Sequence, residues 1–472
     1  NVVMKLKLSS AAVSIVKLLE ENGCEAWIVG GAVRDVLLGE KSTDWDITTS
    51  ATPEQILPLF SESFNDNAFG TVMVAGKHVK EQFELEPESC LDEEVFDITT
   101  YRTEGAYSDK RRPDKVSWGE SIEEDLKRRD FTINAIAISV SASQRISKSD
   151  SLYEVKILDP YEGQKDLESK ILRAVGDPET RFEEDALRMM RAIRLGAQLG
   201  FSIEKKTLDA IREKSSNLSE IAWERIGAET MKLLGSQHAA DGVQLMVSTG
   251  IAEIVLPELL ESKGVKQAGH HIYDVYTHLI ESLRGCPSPD PVVRLSTLLH
   301  DIDKPVVMKE QGPRGVTFYN HEVSGARTAK RIASRLRLSK HDQDRVFTLV
   351  RWHMFAYDPE MTDASIRRFI RRVGKENIHE MMALRTGDRV GGGSKATSWR
   401  LTEMQRRIGE QFYEPLSLKD LKISGDEIMK MLDIKPGRKI GEILNTLFEE
   451  IIEDSSLNNK EYLTKRVKEL GK

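Results

Sequence analysis

The hydrophobic period of this chain changes near residue 183, and that change limits the fold more than any single motif does. Before it, apolar runs are short and end in glycine or polar turns, as strands do: 26–29 (AWIV), 45–49, 71–75, 95–101 and 133–140. An amphipathic helix is predicted over 10–22, and a second opens at Gly30-Gly31. After 183, apolar residues recur at helical spacing almost to the end, with breaks at Pro257, 285–291, 312–315, 391–393 and Pro436-Gly437. A helical pattern does not hold as a strand, nor the reverse. The class is therefore α+β, a small mixed-sheet head followed by a long all-α remainder. The acid-rich stretch 77–94 interrupts the strand pattern and is expected to be a solvated excursion.

At 472 residues the chain exceeds what one core can organise, so two to four domains are expected. Hydrophobic residues make up 39% and charged residues 31%. No apolar run approaches the roughly 20 residues a membrane span needs. The first residues lack the compact apolar core and small-residue cleavage site of a secretion signal, so a cytoplasmic location is expected. Three widely spaced cysteines, Cys24, Cys90 and Cys286, exclude a zinc knuckle or a disulfide framework. With a net charge of −8, the protein does not coat nucleic acid by bulk charge, so any RNA contact must come from local basic clusters.

The first chemically informative segment is Gly30-Gly31-Ala32-Val33-Arg34-Asp35, followed by Asp44-Trp45-Asp46. Aspartates at i and i+2 on a strand point to one face, where they can share one cation or a pair. Magnesium suits them, because it takes hard oxygen ligands and shares its site with substrate phosphates. The glycines let the backbone approach a triphosphate, and Arg34 can hold its oxygens. A lone Asp-x-Asp is more often a solvated turn; strand, glycine turn, helix and strand in this order make a site. Asp97, on the strand 95–101, is the candidate third carboxylate.

These residues resemble the class II tRNA nucleotidyltransferase and bacterial poly(A) polymerase superfamily. The likeness extends over Gly30-Gly31-x-Val33-Arg34-Asp35, Asp44-x-Asp46, Tyr107-Ser108-Asp109-x-Arg111-Arg112-Pro113 and Arg128-Arg129-Asp130-Phe131-Thr132-x-Asn134-Ala135. It continues through Asp159-Pro160-x-x-Gly163-x-x-Asp166-Leu167, Arg181-Phe182-x-Glu184-Asp185-x-x-Arg188 and Glu224-Arg225-Ile226. The resemblance implies a nucleotidyltransferase head (1–150), a helical neck that selects the nucleotide (151–262), a helical body (263–400) and a helical tail that contacts tRNA (401–472). It further implies that Asp44, Asp46 and Asp97 are catalytic and that Asp44 and Asp46 hold two Mg²⁺ ions. Gly31 and Arg34 would hold the triphosphate, and Arg129, Asp130 and Asn134 would read its sugar and phosphates.

In the neck, Asp185, Arg188, Arg191 and Arg194 recur every three residues, so on an α-helix each is displaced by about 60° from the one before. A carboxylate accepts and a guanidinium donates. Cytosine and adenine both present an amino donor beside a ring-nitrogen acceptor, whereas uracil and guanine present the reverse. An Asp185 and Arg188 pair would accept C and A and reject U and G.

In the second half, His278, His300-Asp301, His321, His353 and Asp388 resemble the metal-binding HD domain, with His300-Asp301-x-x-Lys304-Pro305 its most recognisable piece. A further divalent metal on His278, His300, Asp301 and Asp388 is implied. Asp303 stands where that family usually has glycine, which leaves phosphohydrolase activity open. Arg111 and Arg112, Arg335 and Arg337, Arg367 and Arg368, and Lys435 and Arg438 are expected phosphate contacts.

The expected activity is addition of C and A, from CTP and ATP, to the 3′ end of tRNA. An A-adding enzyme and a poly(A) polymerase would keep most of these motifs, and an HD phosphohydrolase with a nucleotide-sensing head is the alternative of another class. Retention of the loop 103–118 argues, by the resemblance, against a CC-only enzyme.

Overall fold

The computed structural model describes residues 2–66, 70–86, 90–103, 117–119, 121–140, 145–147, 151–267, 272–310 and 315–472. It divides into two compact units, Asn1–Val255 and Leu256–Lys472. The first carries a nine-stranded sheet and the helices of the neck; the second is almost entirely helical. None of the described helices is long and apolar enough to cross a membrane.

The sheet runs Val2–Lys7, Leu152–Leu158, Ala137–Ser139, Ala26–Val29, Asp44–Thr49, Val95–Thr100, Thr71–Ala75 and Phe64–Asp66, with Arg145–Ser147 also pairing Leu152–Leu158. Neighbours are antiparallel except at one place, where Asp44–Thr49 and Val95–Thr100 run parallel with Asp46 opposite Asp97. Alternation fixes which side chains face the core. Trp45, Ile47, Phe96 and Ile98 are buried, so Asp44, Asp46 and Asp97 share the other face.

Three expectations need correction. A head ending at 150 would cut the sheet, because Leu152–Leu158 pairs with both Val2–Lys7 and Ala137–Ser139. The first strand follows an unremarkable sequence start, and its register comes from that long-range pairing. The segment 133–140 is a short 3₁₀ turn, Thr132–Asn134, followed by the strand Ala137–Ser139. The insertion 77–94 is not simply solvated. It begins with the helix Gly76–Gln82 and returns to bury Cys90 and Glu94, whose carboxylate accepts from Ser9 Oγ at 2.9 Å.

In the second unit the expected boundary at 400 also shifts. Helix Trp399–Gln411 contributes Leu401, Met404 and Ile408 to the same core as Ile366, Ile370 and Met381. A separate core gathers Leu421, Ile428, Leu447, Phe448 and Leu463. The break between them falls near the short turn Leu418–Asp420, where a capping box at Ser417 and Asp420 ends one run and starts the next.

Candidate active site and histidine cluster

Gly30 follows strand Ala26–Val29 with φ +76°, a backbone that side chains rarely adopt. A Cβ there would meet Asp46 Oδ2 at 2.3 Å and Arg129 Nη1 at 3.1 Å. The glycine that lets the backbone close on the carboxylates is therefore Gly30, while Gly31 is less constrained. Asp44 is exposed, and Asp46 and Asp97 are partly buried beside each other. Burial first, then the neighbouring charges of Asp46 and Asp44, holds the Asp97 carboxyl up at about 6. Its buried Oδ1 has no hydrogen-bond partner. Burial likewise raises Asp46, against the pull of Arg129. Adjacent carboxylates with an orphaned oxygen form a donor set that fits a hard cation such as Mg²⁺.

Around them runs a polar chain. Arg34 is buried, donates to Asp35 Oδ1 at 2.8 Å and reaches Asn134 Oδ1 at 3.1 Å. Asn134 donates to Asp130, and Arg191 donates to the other Asp130 oxygen through Nε and Nη2 at 2.8 and 2.6 Å. Burial alone would raise Asp130; Arg191, Asn134 and Arg188 outweigh it and hold the carboxyl down at about 2. Arg194 continues the chain to Glu229 at 2.6 Å. Arg128 and Arg129 are both held by the fully buried Asp125.

The four-residue helical row does not form as expected. Helix Pro178–Glu184 stops at Asp185, which is extended at φ −146°, ψ 101°, and the next helix is Leu187–Leu199. Asp185 accepts from the Leu187 amide at 3.1 Å and from Arg225 at 2.6 Å. Its short side chain competes for the backbone at a helix start, which breaks the row. Arg188 donates to Glu184, to the Arg181 carbonyl and to the Arg128 carbonyl, at 2.8, 3.3 and 2.9 Å. Asp185 and Arg188 nevertheless line one cleft of about 370 Å³ together with Asp46, Arg129, Asp130, Arg191 and Arg225. Arg225 was visible in the sequence only as a motif residue without a role, and Asp125 and Glu229 gave no signal at all.

The basic residues of the second unit fare unevenly. Arg367 is buried, with its guanidinium on the Ile452 and Glu453 carbonyls and on Gln411, so it is a structural clamp rather than a phosphate contact. Arg335 is engaged by both oxygens of Glu258 at 2.8 Å, and Arg368 pairs with Glu453. Arg337 adopts φ +61° at the end of its helix. Lys435 and Arg438 are exposed, Arg438 pairing with Glu442. Arg111 and Arg112 lie outside the described residues.

Four histidines and two aspartates converge in the second unit. His278 Nε2 and His300 Nε2 are 3.0 Å apart, and Asp301 Oδ2 is 3.3 Å from each. Asp388 Oδ1 lies 3.4 and 3.5 Å from the same nitrogens. Burial opposes charge on His300, but Asp301 and Asp388 push it up to about 10, and both carboxylates are held well below their usual range by these neighbours. Among the described residues, the groups of three or more ligand atoms all within 4.8 Å of one another lie here and not among the head carboxylates.

Residues 26–173 match the poly(A) polymerase head domain, 200–262 the RNA- and SrmB-binding region described for polymerase A, and 318–467 tRNA nucleotidyltransferase domain 2. A CCA-adding enzyme of Ligilactobacillus salivarius is 32% identical over 461 residues, covering 97% of this chain and 96% of that protein. Another, of Leuconostoc citreum, is 44% identical over 239 residues, or 50% of this chain and 52% of the relative. The crystal structure of Bacillus stearothermophilus CCA-adding enzyme in complex with CTP superposes with a TM-score of 0.69 at 25% identity, over 97% of this chain and 96% of that one.

Proposed function

This chain belongs to the CCA-adding enzyme family, and from that premise we propose that it builds the CCA end of tRNA without a nucleic-acid template, by nucleotidyl transfer from CTP and ATP. The observation that carries the reading is the single cleft in which a metal-type carboxylate, Asp46, faces the neck residues Asp185 and Arg188. The tRNA 3′-hydroxyl attacks the α-phosphate, a P–O bond forms there, and the bond to the β-phosphate breaks to release pyrophosphate. Asp44, Asp46 and Asp97 are the residues that would hold two Mg²⁺ ions. Magnesium supplies positive charge that favours the alkoxide and offsets charge on the leaving group.

The protein's own groups do the positioning. Arg129, anchored with Arg128 on Asp125, places positive charge beside Asp46. Asp185 already accepts from Arg225, yet a carboxylate has about four lone-pair sites, so it can also accept from the amino group of C or A. Three of the five N–H donors of Arg188 serve Glu184, Arg181 and Arg128, which leaves donors for the adjacent ring nitrogen. Buried Arg34 supports Asn134, and through it Asp130, instead of gripping the triphosphate directly. Lys435 and Arg438, both exposed, are assigned as tRNA phosphate contacts, and a tRNA substrate supports a cytoplasmic location.

The test uses tRNAs lacking CCA, lacking only the final A, and complete, with CTP and ATP separately and together, and sequences the products. Completion of both shortened tRNAs and no extension of the complete one is expected. Addition of A alone, or of an A tract, overturns the reading in favour of an A-adding enzyme or a poly(A) polymerase.

The histidine cluster supports a second reading, in which an HD-type site on His278, His300, Asp301 and Asp388 holds a divalent metal apart from the transfer chemistry. His300→Ala is then expected to spare CCA addition and to remove any phosphatase or phosphodiesterase activity.

A further inference from the structure

We propose that Phe64 and Met73 form an apolar ledge on which the last base of the tRNA being extended stacks, so that the RNA end reaches the carboxylates from the side opposite the triphosphate. The inference rests on the reading of the chain as a CCA-adding enzyme and names a binding surface for the RNA end within the same site. Its basis is the register of the sheet. Asp46 lies opposite Asp97, Asp97 opposite Met73, and Met73 opposite Phe64, so four neighbouring strands bring these side chains to one face in a single row. Adjacent strands are about 4.8 Å apart, which sets the backbone of Met73 about 5 Å and that of Phe64 about 10 Å from Asp97.

The alternate residues of these strands, Val72, Val74, Phe96 and Ile98, are buried in the core. On the carboxylate face, by contrast, Phe64 is 75% and Met73 39% exposed. An aromatic ring and a thioether side by side in water on the last strands of a sheet stabilise the fold little and carry an aggregation hazard, which a substrate contact explains. The ledge is continuous with the cleft. Thr71, on the strand of Met73, and Thr99, on the strand of Asp97, bond to each other at 3.1 Å and line the cleft with Asp46 and Arg129.

Topology decides which reactant the ledge serves. Strand Ala26–Val29, which leads into the glycine turn, flanks Asp44–Thr49 on one side, and Val95–Thr100, Thr71–Ala75 and Phe64–Asp66 follow on the other. A triphosphate drawn to Gly30 and Arg129 lies on the first side. The attacking and leaving oxygens of phosphoryl transfer are roughly in line. The 3′-hydroxyl therefore enters from the second side, and its nucleoside comes to rest over Met73 and Phe64. The chemistry suits that role. The enzyme must choose C or A as the incoming base, yet the base it extends changes as it works, from the one before the CCA to C and then to C again. Hydrogen bonds to a base edge would select among these ends; stacking does not, because every base has a π-face. Phe64 supplies the partner ring and Met73 an adaptable, polarizable neighbour.

The experiment extends a tRNA lacking CCA with CTP and compares it with the same tRNA whose last residue has a ribose but no base, using full-length wild-type, Phe64→Ala and Phe64→Tyr proteins. In the wild type, loss of the base should lower kcat/KM about 10-fold, within the range for one base–aromatic stack. Phe64→Ala should lower kcat/KM on the intact tRNA by a similar factor and bring the ratio of the two tRNAs close to one, with KM for CTP unchanged. Phe64→Tyr should restore the wild-type ratio. Each ratio is taken within one protein, so a loss of folded material cancels. A wild-type ratio retained in Phe64→Ala, or no penalty for the baseless end in the wild type, overturns the ledge and leaves the CCA reading intact. A loss of discrimination between CTP and UTP in Phe64→Ala would place the ring on the incoming nucleotide and overturn the ledge as well. A wild type that adds nothing to the intact tRNA overturns both readings.

Discussion

In the first unit, three carboxylates stand on strands at the edge of a cleft, Asp44 exposed and Asp97 half-buried; in the second, four imidazoles and two carboxylates are enclosed by helices with their ligand atoms already converged. The difference follows from what each site has to admit. An open set of hard oxygens leaves coordination positions for triphosphate and a 3′-hydroxyl, so its metal can arrive with substrate. An enclosed set of nitrogens carries the cost of burying polar groups in advance, which, on the reading of the cluster as a metal site, an ion bound before any substrate would offset. One site is completed by its reactants and the other by its fold.

The strongest way to break this contrast is to remove one ligand from each site. Asp46→Ala should lower nucleotide addition by about 10³-fold or more, given the several kcal/mol that a metal supplies at a phosphoryl centre. His300→Ala should leave addition unchanged. Matched single-turnover rates on a tRNA lacking its final A would show it, and comparable losses in the two variants would mean that the sites are not independent.

Gly30→Ala tests whether close backbone approach, rather than the carboxylates alone, makes the head work. The new Cβ would lie 2.3 Å from Asp46 Oδ2. If Asp46 must shift by about 1 Å, the rate should fall on the order of 10²-fold. Strain at φ +76° adds about 1–2 kcal/mol of destabilisation, which thermal unfolding would report.

Asp185→Ala should relax the choice between CTP and UTP by roughly 10-fold, near the lower end of the 1–3 kcal/mol measured for a base contact. Arg225→Ala should move the same ratio in the same direction by less, since Arg225 only holds Asp185. Ratios of kcat/KM for the two nucleotides decide this. An unchanged ratio in Asp185→Ala would return the neck to a purely structural role.

The smallest effect concerns protons. Because the folded Asp97 carboxyl is held at about 6, above its ordinary 3.8, the metal-free native state binds a proton that the unfolded chain has released. The stabilisation is fully present below 3.8 and is lost as pH rises through about 6. Melting temperatures without metal should therefore fall more from pH 4.5 to 7.5 in the wild type than in Asp97→Asn. Excess Mg²⁺ should flatten the wild-type slope.

The fold class and the order of the chemistry were legible because they rest on local signals: alternation for the strands, helical spacing after 183, and glycine beside the first carboxylate pair. What escaped depends on distant partners. The strand Val2–Lys7 is defined by its pairing about 150 residues downstream, and the Asp185 carboxylate, at the helix break, is held by an arginine 40 residues away. Spacing alone put Asp185 on the same helix as Arg188, since three-residue periodicity says nothing about a side chain that bonds its own backbone. Arg367 looked like part of a basic track for the opposite reason, because sequence does not reveal which guanidinium is turned inward.

That inward turn bears on inheritance. One guanidinium closes the last carbonyls of helix Arg438–Glu453 and also binds Gln411 at the end of helix Trp399–Gln411, so it stitches together the two cores of the second unit. Removing such partners strands a buried charge, at a cost of about 3–5 kcal/mol. The last 50 or so residues are thus not a detachable cassette. A cut in the connecting segment would leave the fragment bound, and a tail borrowed from a relative would have to bring carbonyls that meet Arg367.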